Sequence, residues 1–340
     1  MTRSPARLSH ARSEGTRPTG FGLAPVEARA GLRGRDLLSI HNLTRGELLA
    51  LLELSADIKQ KPSRYAGRLS GKTLALIFEK PSLRTRVSFD VAAHQLGAHS
   101  IYLAQREIGL GQRESIGDIA RTLDGMVDAL AARTCAHGTV EELARAMTVP
   151  VINALSDRDH PCQALADFFT MQEVKGNLEG LRLAYVGDGN NVATSLIEGA
   201  ALLGVRISVA SPPGYEPPAD VLDWARRHAA SPDMCQVTAS PEAAVQGANA
   251  VYTDTWISMG QEGDATERRR AFSGFQVTGR LLELAAPEVV FMHCLPAHRG
   301  EEVAADVIDS PRSVVFRQAE NRLHTEKALL MALLASGDDA

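Results

Sequence analysis

The chain has 340 residues, of which 44% are apolar and 23% are charged, the balance of an ordinary globular protein. This length suits two domains of about 150 residues each better than a single core. The net charge of −5 argues against a nucleic-acid-binding surface, and no apolar run reaches the roughly 18 residues that a membrane span needs. The four scattered cysteines lack the spacing of a metal site or a disulfide framework, which predicts a reducing, cytoplasmic setting.

The first 35 residues contain seven arginines but only two acids, Glu14 and Glu27. They show neither a central apolar region nor helical periodicity. We therefore predict that residues 1–35 form a disordered tail. An organelle transit peptide has a similar Arg- and Ser-rich, acid-poor composition, so that alternative stays open.

Beyond the tail, short apolar runs alternate with helical patterns. A capping box at Thr44 and Glu47 predicts the start of a leucine-rich helix, and a second one at Thr139 and Glu142 predicts another. A last helix is expected over residues 321–334. Predicted strands cover residues 72–78, 101–103, 150–154, 182–187, 206–210, 250–253, 289–293 and 314–316.

This alternation predicts an α/β fold with two doubly wound parallel-sheet domains joined by helices. The first domain is expected over residues 36–165 and the second over 166–320, with residues 321–340 packing back on the first domain. A polar break at residues 176–180 marks the border region. Because parallel sheets bind ligands beyond the carboxyl ends of their strands, residues just after each predicted strand are the functional candidates.

The first such sequence is Pro81-Ser82-Leu83-Arg84-Thr85-Arg86, between a predicted strand and a helix. Ser82 is the expected N-cap. The unpaired N–H groups and the dipole of a helix N-terminus favour an anion, and two hydroxyls and two guanidiniums add phosphate-type hydrogen bonds and charge. The motif predicts a phosphate site, although a capped helix with solvated arginines has the same composition.

Two further motifs follow strands 150–154 and 182–187. In His160-Pro161-Cys162-Gln163, Pro161 suits the first helical position, so His160 and Gln163 can donate to a carbonyl; a turn-capping histidine is the alternative. Gly187-Asp188-Gly189-Asn190-Asn191 resembles a dinucleotide fingerprint, but Val192 replaces the third glycine.

The last two candidate segments follow strands 250–253 and 289–293. Asp254 suits a substrate ammonium group, or the backbone N–H groups of its own loop. Cys294 lies beside His293 and near Arg299, which favours a lowered thiol pKa, although a single cysteine often only packs. No acid within residues 293–300 can orient the histidine as in a nucleophilic triad, which argues against a covalent cysteine enzyme.

Together these motifs resemble the ornithine carbamoyltransferases, within the aspartate/ornithine carbamoyltransferase family. The matching segments, in family order and spacing, are Ser82-x-Arg84-Thr85-Arg86, His160-Pro161-x-Gln163, Asp254-x-x-x-Ser258-Met259-Gly260 and His293-Cys294-Leu295-Pro296. The first two are shared with aspartate carbamoyltransferases, whereas the Ser-Met-Gly segment and Cys294 point to ornithine. The resemblance covers residues 36–334.

The resemblance implies transfer of the carbamoyl group of carbamoyl phosphate to the δ-amine of L-ornithine, giving L-citrulline and phosphate in arginine metabolism. It implies no metal or organic cofactor, no nucleic-acid or membrane partner, and a homotrimer or an assembly of trimers. Carbamoyl phosphate would be bound by Ser82, Leu83, Arg84, Thr85, Arg133, His160, Gln163, Cys294, Leu295 and Arg322. Ornithine would be bound by Asn191, Asp254, Ser258 and Met259.

The implied catalytic residues are Cys294, Arg133 and His160. An alkylamine resembles lysine, with a pKa near 10.4, so the δ-amine must lose a proton before it attacks. Cys294, with Asp254 nearby, is the expected proton acceptor. Charge on the carbamoyl oxygen would be stabilised by Thr85 together with Arg133 and His160.

One position departs from the family pattern. Many relatives have Gln or His at the position of Gly109, where the side chain reaches the phosphate of a neighbouring subunit. Here Gln112 or Arg113 is the expected replacement.

Three alternatives are weighed against this interpretation. A carbamoyltransferase for another amine or amino acid would share most motifs. A nicotinamide-dependent oxidoreductase built on Gly187-x-Gly189 should have an acid about 20 residues on, and the strand there ends without one. An inactive binding paralogue is disfavoured because every implied substrate position except Gly109 has a family-type residue.

Overall fold

The computed structural model describes residues 32–258 and 262–335, so most of the predicted tail and Met259 lie outside the described residues. The first sheet contains β1 (Thr73–Phe78), β2 (His99–Ala104), β3 (Ala129–Arg133) and β4 (Val151–Leu155). The second contains β5 (Arg182–Val186), β6 (Arg206–Ala210), β7 (Cys235–Thr238), β8 (Ala250–Thr253) and β9 (Val290–His293). The strand orders are β2-β1-β3-β4 and β7-β6-β5-β8-β9, and all these pairings are parallel, which confirms the predicted fold class.

Helices connect the strands and cover the sheets. They are α1 (Arg45–Gln60), α2 (Pro62–Tyr65), α3 (Arg84–Leu96), α4 (Gln105–Ile108), α5 (Ile116–Asp124), α6 (His137–Ala146), α7 (Pro161–Lys175), α8 (Asn191–Leu203), α9 (Ala219–His228), α10 (Pro241–Val245), α11 (Ala265–Ala271), α12 (Gly279–Leu282), α13 (Ala305–Ile308) and α14 (Val315–Leu334). Short 3-10 helices occur at Ile40–Asn42, Pro232–Met234 and Glu262–Asp264. Within the described residues, every helix is too short or too polar to cross a bilayer.

The topology explains where a ligand can bind. In the first sheet β1 lies between β2 and β3, and in the second β5 lies between β6 and β8. The connections leave these central strands in opposite directions, so the loops after neighbouring strands separate and leave a crevice. The loop after β1 contains residues 81–83, β3 ends at Arg133, and the loops after β5 and β8 begin at Gly187 and Asp254. Three of the sequence motifs, and Arg133, therefore lie at strand ends.

Helix α14 joins the two halves of the molecule. It packs against α1, α3, α7 and β9, and most of its residues are buried. It begins at Val315, so the strand predicted over residues 314–316 is wrong. The segment just before the helix does pair with β9, since Phe291 N–H donates to Arg312 O (2.8 Å) and Val314 N–H to Phe291 O (3.0 Å). A short extended segment that leads into a helix has the same apolar pattern as a strand, and this similarity explains the wrong prediction.

The two predicted capping boxes have different outcomes, and two strands of the structure were not predicted. The capping box at Thr44 and Glu47 is confirmed by both of its hydrogen bonds. The one at Thr139 is wrong, because α6 begins two residues earlier at His137, with Ala136 as N-cap. Strands β3 and β7 are absent from the predicted strands.

The packed chain begins before the predicted residue 36. Leu32 is buried, and Gly34 N–H donates to Leu333 O (3.1 Å) on α14. The expectation of disorder is therefore wrong for Leu32 to Arg35, where tertiary contact with the last helix supplies what the local pattern lacks.

Candidate active site

A cleft of about 1100 Å³ opens between the two sheets at their carboxyl ends. Loops after β1, β4, β5, β8 and β9 line it, together with the end of β3 and the first half of α14. Every described residue that the family resemblance implies for substrate binding lines this one cleft, a set of Ser82, Leu83, Arg84, Thr85, Arg133, His160, Gln163, Asn191, Asp254, Ser258, Cys294, Leu295 and Arg322. Folding thus brings together residues separated by more than 200 positions.

The start of α3 forms one wall of the cleft. Ser82 Oγ accepts the backbone N–H of Thr85 at 3.2 Å, the bond expected of an N-cap. Leu83 already has helical backbone angles, although the regular helix begins at Arg84. Leu83 is exposed, whereas Thr85 is buried and its hydroxyl oxygen accepts a hydrogen bond from Arg322 at 3.4 Å. Arg86 points elsewhere, with its guanidinium 3.8 Å from the centre of the Tyr102 ring.

Three guanidiniums converge on this helix start, from Arg84, Arg133 and Arg322. Burial lowers the pKa of Arg133 to about 10, and repulsion from Arg322 and Arg84 acts in the same direction. Its buried Nε has no hydrogen-bond partner among the described residues. Arg322 has partners, since it binds Glu326 at 2.6 Å and donates to Gln163 Oε1 at 2.8 Å. An anion would satisfy the remaining charge and the unpaired donor.

His160 lies next to these arginines as the N-cap of α7, with Pro161 at the first helical position as predicted. Burial lowers the pKa of His160 well below its usual value, and Arg322, Arg133 and Arg84 add to the shift. The imidazole is therefore neutral near pH 7, and its buried Nδ1 has no hydrogen-bond partner within the described chain. A neutral imidazole can donate to a carbonyl oxygen that develops negative charge.

The side-chain amide of Gln163, one turn along α7, forms hydrogen bonds through both its nitrogen and its oxygen. Its Nε2 donates to Asp167 Oδ1 (2.8 Å) and its Oε1 accepts from Arg322 (2.8 Å). These contacts fix which amide atom is which and leave the second Nε2 hydrogen for the cleft.

The opposite wall has an acidic centre. Asp254, directly after β8, accepts hydrogen bonds from Asn190 Nδ2 (2.8 Å), from its neighbour Thr255 N–H (2.8 Å) and from Cys294 Sγ (2.9 Å). Ser258 also lines this wall. Asn191 Nδ2 donates to Ser156 O at 2.6 Å and so bridges the second half of the chain to the loop after β4.

Comparisons with known proteins agree with this geometry. Residues 35–173 match the family model described as the aspartate/ornithine carbamoyltransferase carbamoyl-P binding domain, and residues 179–333 match its Asp/Orn binding domain. The chain belongs to this family. A curated relative from Anoxybacillus flavithermus, named ornithine carbamoyltransferase, is 52% identical over 313 residues, which cover 91% of this chain and 99% of the relative.

Solved structures give the same result. The ornithine carbamoyltransferase from Pyrococcus furiosus has a TM-score of 0.86 and 51% identity, covering 89% of this chain and 98% of that one. The one from Thermus thermophilus has a TM-score of 0.80 and 50% identity, covering 88% and 98%. The carbamoyltransferase fold therefore extends over the described chain.

The structure corrects the expectation of a reactive thiol. Burial raises the pKa of Cys294 well above its usual value, and Asp254 raises it further. The thiol is thus protonated and donates to Asp254, while the nearby Arg84 only partly offsets these effects. The carboxylate of Asp254, rather than the sulfur, has the capacity to accept a proton in this arrangement.

The glycine-rich turn after β5 has a packing role. A Cβ on Gly189 would lie 2.2 Å from Pro217 N and 2.4 Å from Glu216 C, so only glycine fits beside that backbone. In a dinucleotide fingerprint the glycine makes room for a pyrophosphate. Here the space is filled by the protein itself, which removes the basis of the oxidoreductase alternative.

Asp188 and Asn190 line the cleft, but the sequence assigned neither a site role, although both belong to the motif at residues 187–191. Asn190 caps α8 by accepting Val192 N–H (2.9 Å) while it also orients Asp254, and its place before a helix was the available signal. Asp188 forms a buried ion pair with Arg268 of α11, which no sequence spacing indicates.

Glu302 is the acid that the motif around His293 lacks. Leu295 N–H donates to His293 Nδ1 (2.8 Å), which leaves the ring proton on Nε2, 3.2 Å from Glu302 Oε1. Both residues are fully buried, so this pair holds the loop after β9 in place.

One group of side chains has the spacing of a metal site. Single ligand atoms of Asp254, His293 and Cys294 lie within 4.8 Å of one another. However, the thiol proton is bonded to Asp254 and both ring nitrogens of His293 face protein partners. A metal ion would have to displace these hydrogen bonds.

Proposed function

We propose that the protein transfers the carbamoyl group of carbamoyl phosphate to the δ-amine of L-ornithine and releases L-citrulline and phosphate. The observation that supports this most strongly is the division of one cleft into a cationic and an acidic wall. Arg84, Arg133 and neutral His160 form the first, and Asp254 with Cys294 forms the second. A carbamoyl phosphate and an amine are the reactants whose charges fit these two walls.

At the cationic wall the phosphate is bound by Ser82, Leu83, Arg84 and Thr85, with Leu83 using its backbone. The start of α3 offers N–H groups and the positive end of the helix dipole. Arg133 and Arg322 extend the same positive field, and Arg133 has an unpaired buried donor for a phosphate or carbamoyl oxygen. These groups stabilise the phosphate as it leaves, so its departure needs no proton at this end.

The carbamoyl group lies between the walls, near His160 and Gln163. The carbonyl oxygen gains negative charge when the amine attacks, and donors already in place stabilise that charge without rearranging. Neutral His160, the free hydrogen of Gln163 and the guanidinium of Arg133 supply those donors, and Thr85 adds a hydroxyl. Cys294 and Leu295 close the pocket from the β9 side.

At the acidic wall ornithine is bound by Asn191, Asp254, Ser258 and Met259. Asp254 attracts the ammonium form of the substrate, and the cationic wall opposite disfavours it. Desolvation next to the cationic wall favours the neutral δ-amine. Its proton passes to Asp254, whose carboxylate the Cys294 thiol holds in orientation. This division of roles reverses the one expected from the sequence.

The test is a comparison of amines. Purified protein is incubated with carbamoyl phosphate and either ornithine, putrescine, aspartate or N-acetylornithine, and the carbamoylated product is measured. Ornithine should give by far the highest kcat/KM, with citrulline and phosphate in equal amounts. A higher value for another amine would establish the alternative of a carbamoyltransferase with a different acceptor.

We further propose a homotrimer, or an assembly of trimers, in the cytoplasm. Three apolar side chains are exposed, which suits an interface between copies. They are Leu83 just before α3, Val87 on α3 and Ile101 of the edge strand β2. The scattered cysteines support the reducing setting.

A further inference from the structure

A second cluster of buried polar side chains lies beside the cleft, at the boundary between the two halves. Its centre is Asp159, whose carboxylate is fully buried. Oδ2 accepts the hydroxyl of Ser39 at 2.9 Å, and Oδ1 accepts the hydroxyl of Ser195 at 3.2 Å. Ser39 precedes α1, whereas Ser195 lies on α8 of the second half. One carboxylate thus joins both halves.

Ser195 also contacts the residue that follows Asp159. The backbone N–H of His160 donates to Ser195 Oγ at 2.9 Å. A hydroxyl has a single hydrogen, and in Ser195 that hydrogen is directed at Asp159 when the carboxylate is ionised. Its oxygen is therefore free to accept from His160. The two hydrogen bonds form one chain with a fixed direction, from His160 through Ser195 to Asp159.

His160 is one end of this chain of hydrogen bonds, and its exact position in the cleft matters for the reaction. The imidazole of His160 enters the cleft with an unpartnered Nδ1, whereas neither Asp159 nor Ser195 is among the described residues that line it. A misplacement of about 1 Å at a reacting group can lower the rate about a hundredfold. Asp159 and Ser195 therefore influence the reaction from outside the cleft, by fixing the His160 backbone.

We propose that Asp159 and Ser195 are positioning residues, which hold His160 against the carbamoyl group and tie its placement to helix α8. This inference rests on the proposed function, because that function places His160 at the carbamoyl oxygen. Any movement of the second half relative to the first is then transmitted to His160 through Ser195.

Charged neighbours make this link sensitive to pH. Burial, and then the charge of Glu198, raises the pKa of Asp159 to about 7. The charged groups that act on it are Glu198, His41 and Arg158. Asp220 pairs in turn with Arg158, and His137 contacts Ser156. Once protonated, Asp159 becomes a donor and competes with the serine hydroxyls, so the chain loses its direction. Affinity for carbamoyl phosphate should therefore fall as the pH drops through about 7.

Steady-state kinetics with ornithine test the proposal on the full-length protein. Ser195→Ala removes the acceptor of His160 N–H and should lower kcat/KM for carbamoyl phosphate about tenfold. Ser55→Ala is the matched control, since Ser55 is equally buried and its hydroxyl bonds only to Leu51 O (2.7 Å) within α1. It should stay within about twofold of the wild type.

A second measurement separates positioning from general damage. In a His160→Ala background, Ser195→Ala should cause almost no additional loss, because its effect passes through the missing imidazole. Asp159→Asn, which keeps the shape, should flatten the fall below pH 7 and can replace Ser195→Ala if that variant does not fold. Equal losses in both backgrounds, or a Ser195→Ala enzyme that matches Ser55→Ala, would overturn the proposal. If wild-type protein forms no citrulline at all, the proposed function fails instead.

Discussion

Burial, more than residue type, decides the protonation of individual side chains in this cleft. His160 is neutral because it is buried beside three guanidiniums, and Cys294 is a thiol because it is buried beside a carboxylate. In water the histidine would be partly charged near its ordinary pKa of about 6.5. The environment thus converts one residue into a neutral donor and the other into an orienting donor.

The helix-terminus arginines allow a matched test. Arg84→Ala removes a guanidinium that lines the cleft, and Arg86→Ala removes one that lies over the Tyr102 ring outside it. A charge-assisted hydrogen bond to a bound anion contributes about 1.5–3 kcal/mol, so Arg84→Ala should lose at least about tenfold in kcat/KM for carbamoyl phosphate. Arg86→Ala should lose less than about threefold. Similar losses in both folded variants would show that position within the motif is unimportant.

Substitutions of Cys294 distinguish a hydrogen-bond donor from a proton acceptor. Cys294→Ser keeps a donor to Asp254 and should retain kcat/KM for ornithine within about threefold, whereas Cys294→Ala loses about 1 kcal/mol, or roughly fivefold. The measurement is the pH profile of kcat/KM for all three proteins. If the thiolate accepted the proton, Cys294→Ser would instead be the more damaged enzyme, with its profile moved to alkaline pH.

At the scale of elements, strand ends and helix starts are held together by close backbone contacts. The turn after β5 packs against the segment of residues 212–217, and Gly189 N–H donates to Tyr215 O at 2.8 Å. The same turn provides Asn190, which caps α8 and orients Asp254. Displacing this turn would therefore lower the stability of the protein and also disturb the acidic wall of the cleft.

Gly189→Ala tests this dependence. The added Cβ would lie 2.2 Å from Pro217 N, so the backbone must shift, at a cost of about 1–3 kcal/mol in the free energy of unfolding. Gly138→Ala, in helix α6 with no heavy atom within 4 Å of the new Cβ, should stabilise by about 0.5–1 kcal/mol. Urea unfolding of the three proteins measures both changes. A Gly189→Ala protein as stable as the wild type would mean that the turn is adaptable.

At the scale of the whole molecule, the proposed trimer predicts that a neighbouring copy contributes to each cleft. Gly109 has a φ of +62°, and a Cβ there would lie 2.7 Å from Arg113 Cβ. A longer side chain at this position is therefore disfavoured both by the backbone conformation and by the closeness of Arg113. The loop as folded exposes Arg113, whose guanidinium is suited to bind phosphate oxygens of another copy.

Mixed oligomers test this contribution. Arg113→Ala and Arg84→Ala proteins should each be impaired in carbamoyl phosphate binding. If the two side chains serve one site from different chains, subunit exchange creates some sites with both intact, and activity reappears in the mixture. A mixture of Arg84→Ala with Arg133→Ala is the matched control. Both side chains line the cleft of one chain, so subunit exchange creates no intact site and activity should stay low. If Arg113→Ala keeps normal affinity for carbamoyl phosphate, the Arg113 hypothesis is wrong, and Gln112 is then tested in the same way.

The sequence by itself determined the fold class and, through the family resemblance, the substrate positions that line the cleft. Strands such as 206–210 and 250–253 were predictable because buried parallel strands are continuous apolar runs. The sheet topology then brings strand-end motifs together, so the short patterns at residues 81–86 and 160–163 were sufficient to locate the cationic wall of the cleft. Arg133 and Arg322 were indicated only by family resemblance, since the alanine-rich β3 and the middle of α14 have no local signature of a site.

The tertiary structure decided what no local pattern contains. Pairings such as Asp188 with Arg268, His293 with Glu302, and Asp159 with Ser39 and Ser195 join residues distant in sequence. It also decided protonation, because the pKa of a buried group depends on the dielectric environment and on charges supplied by other elements. Residue identities specify which chemistry is available, and packing specifies which form of each group is present in the cleft.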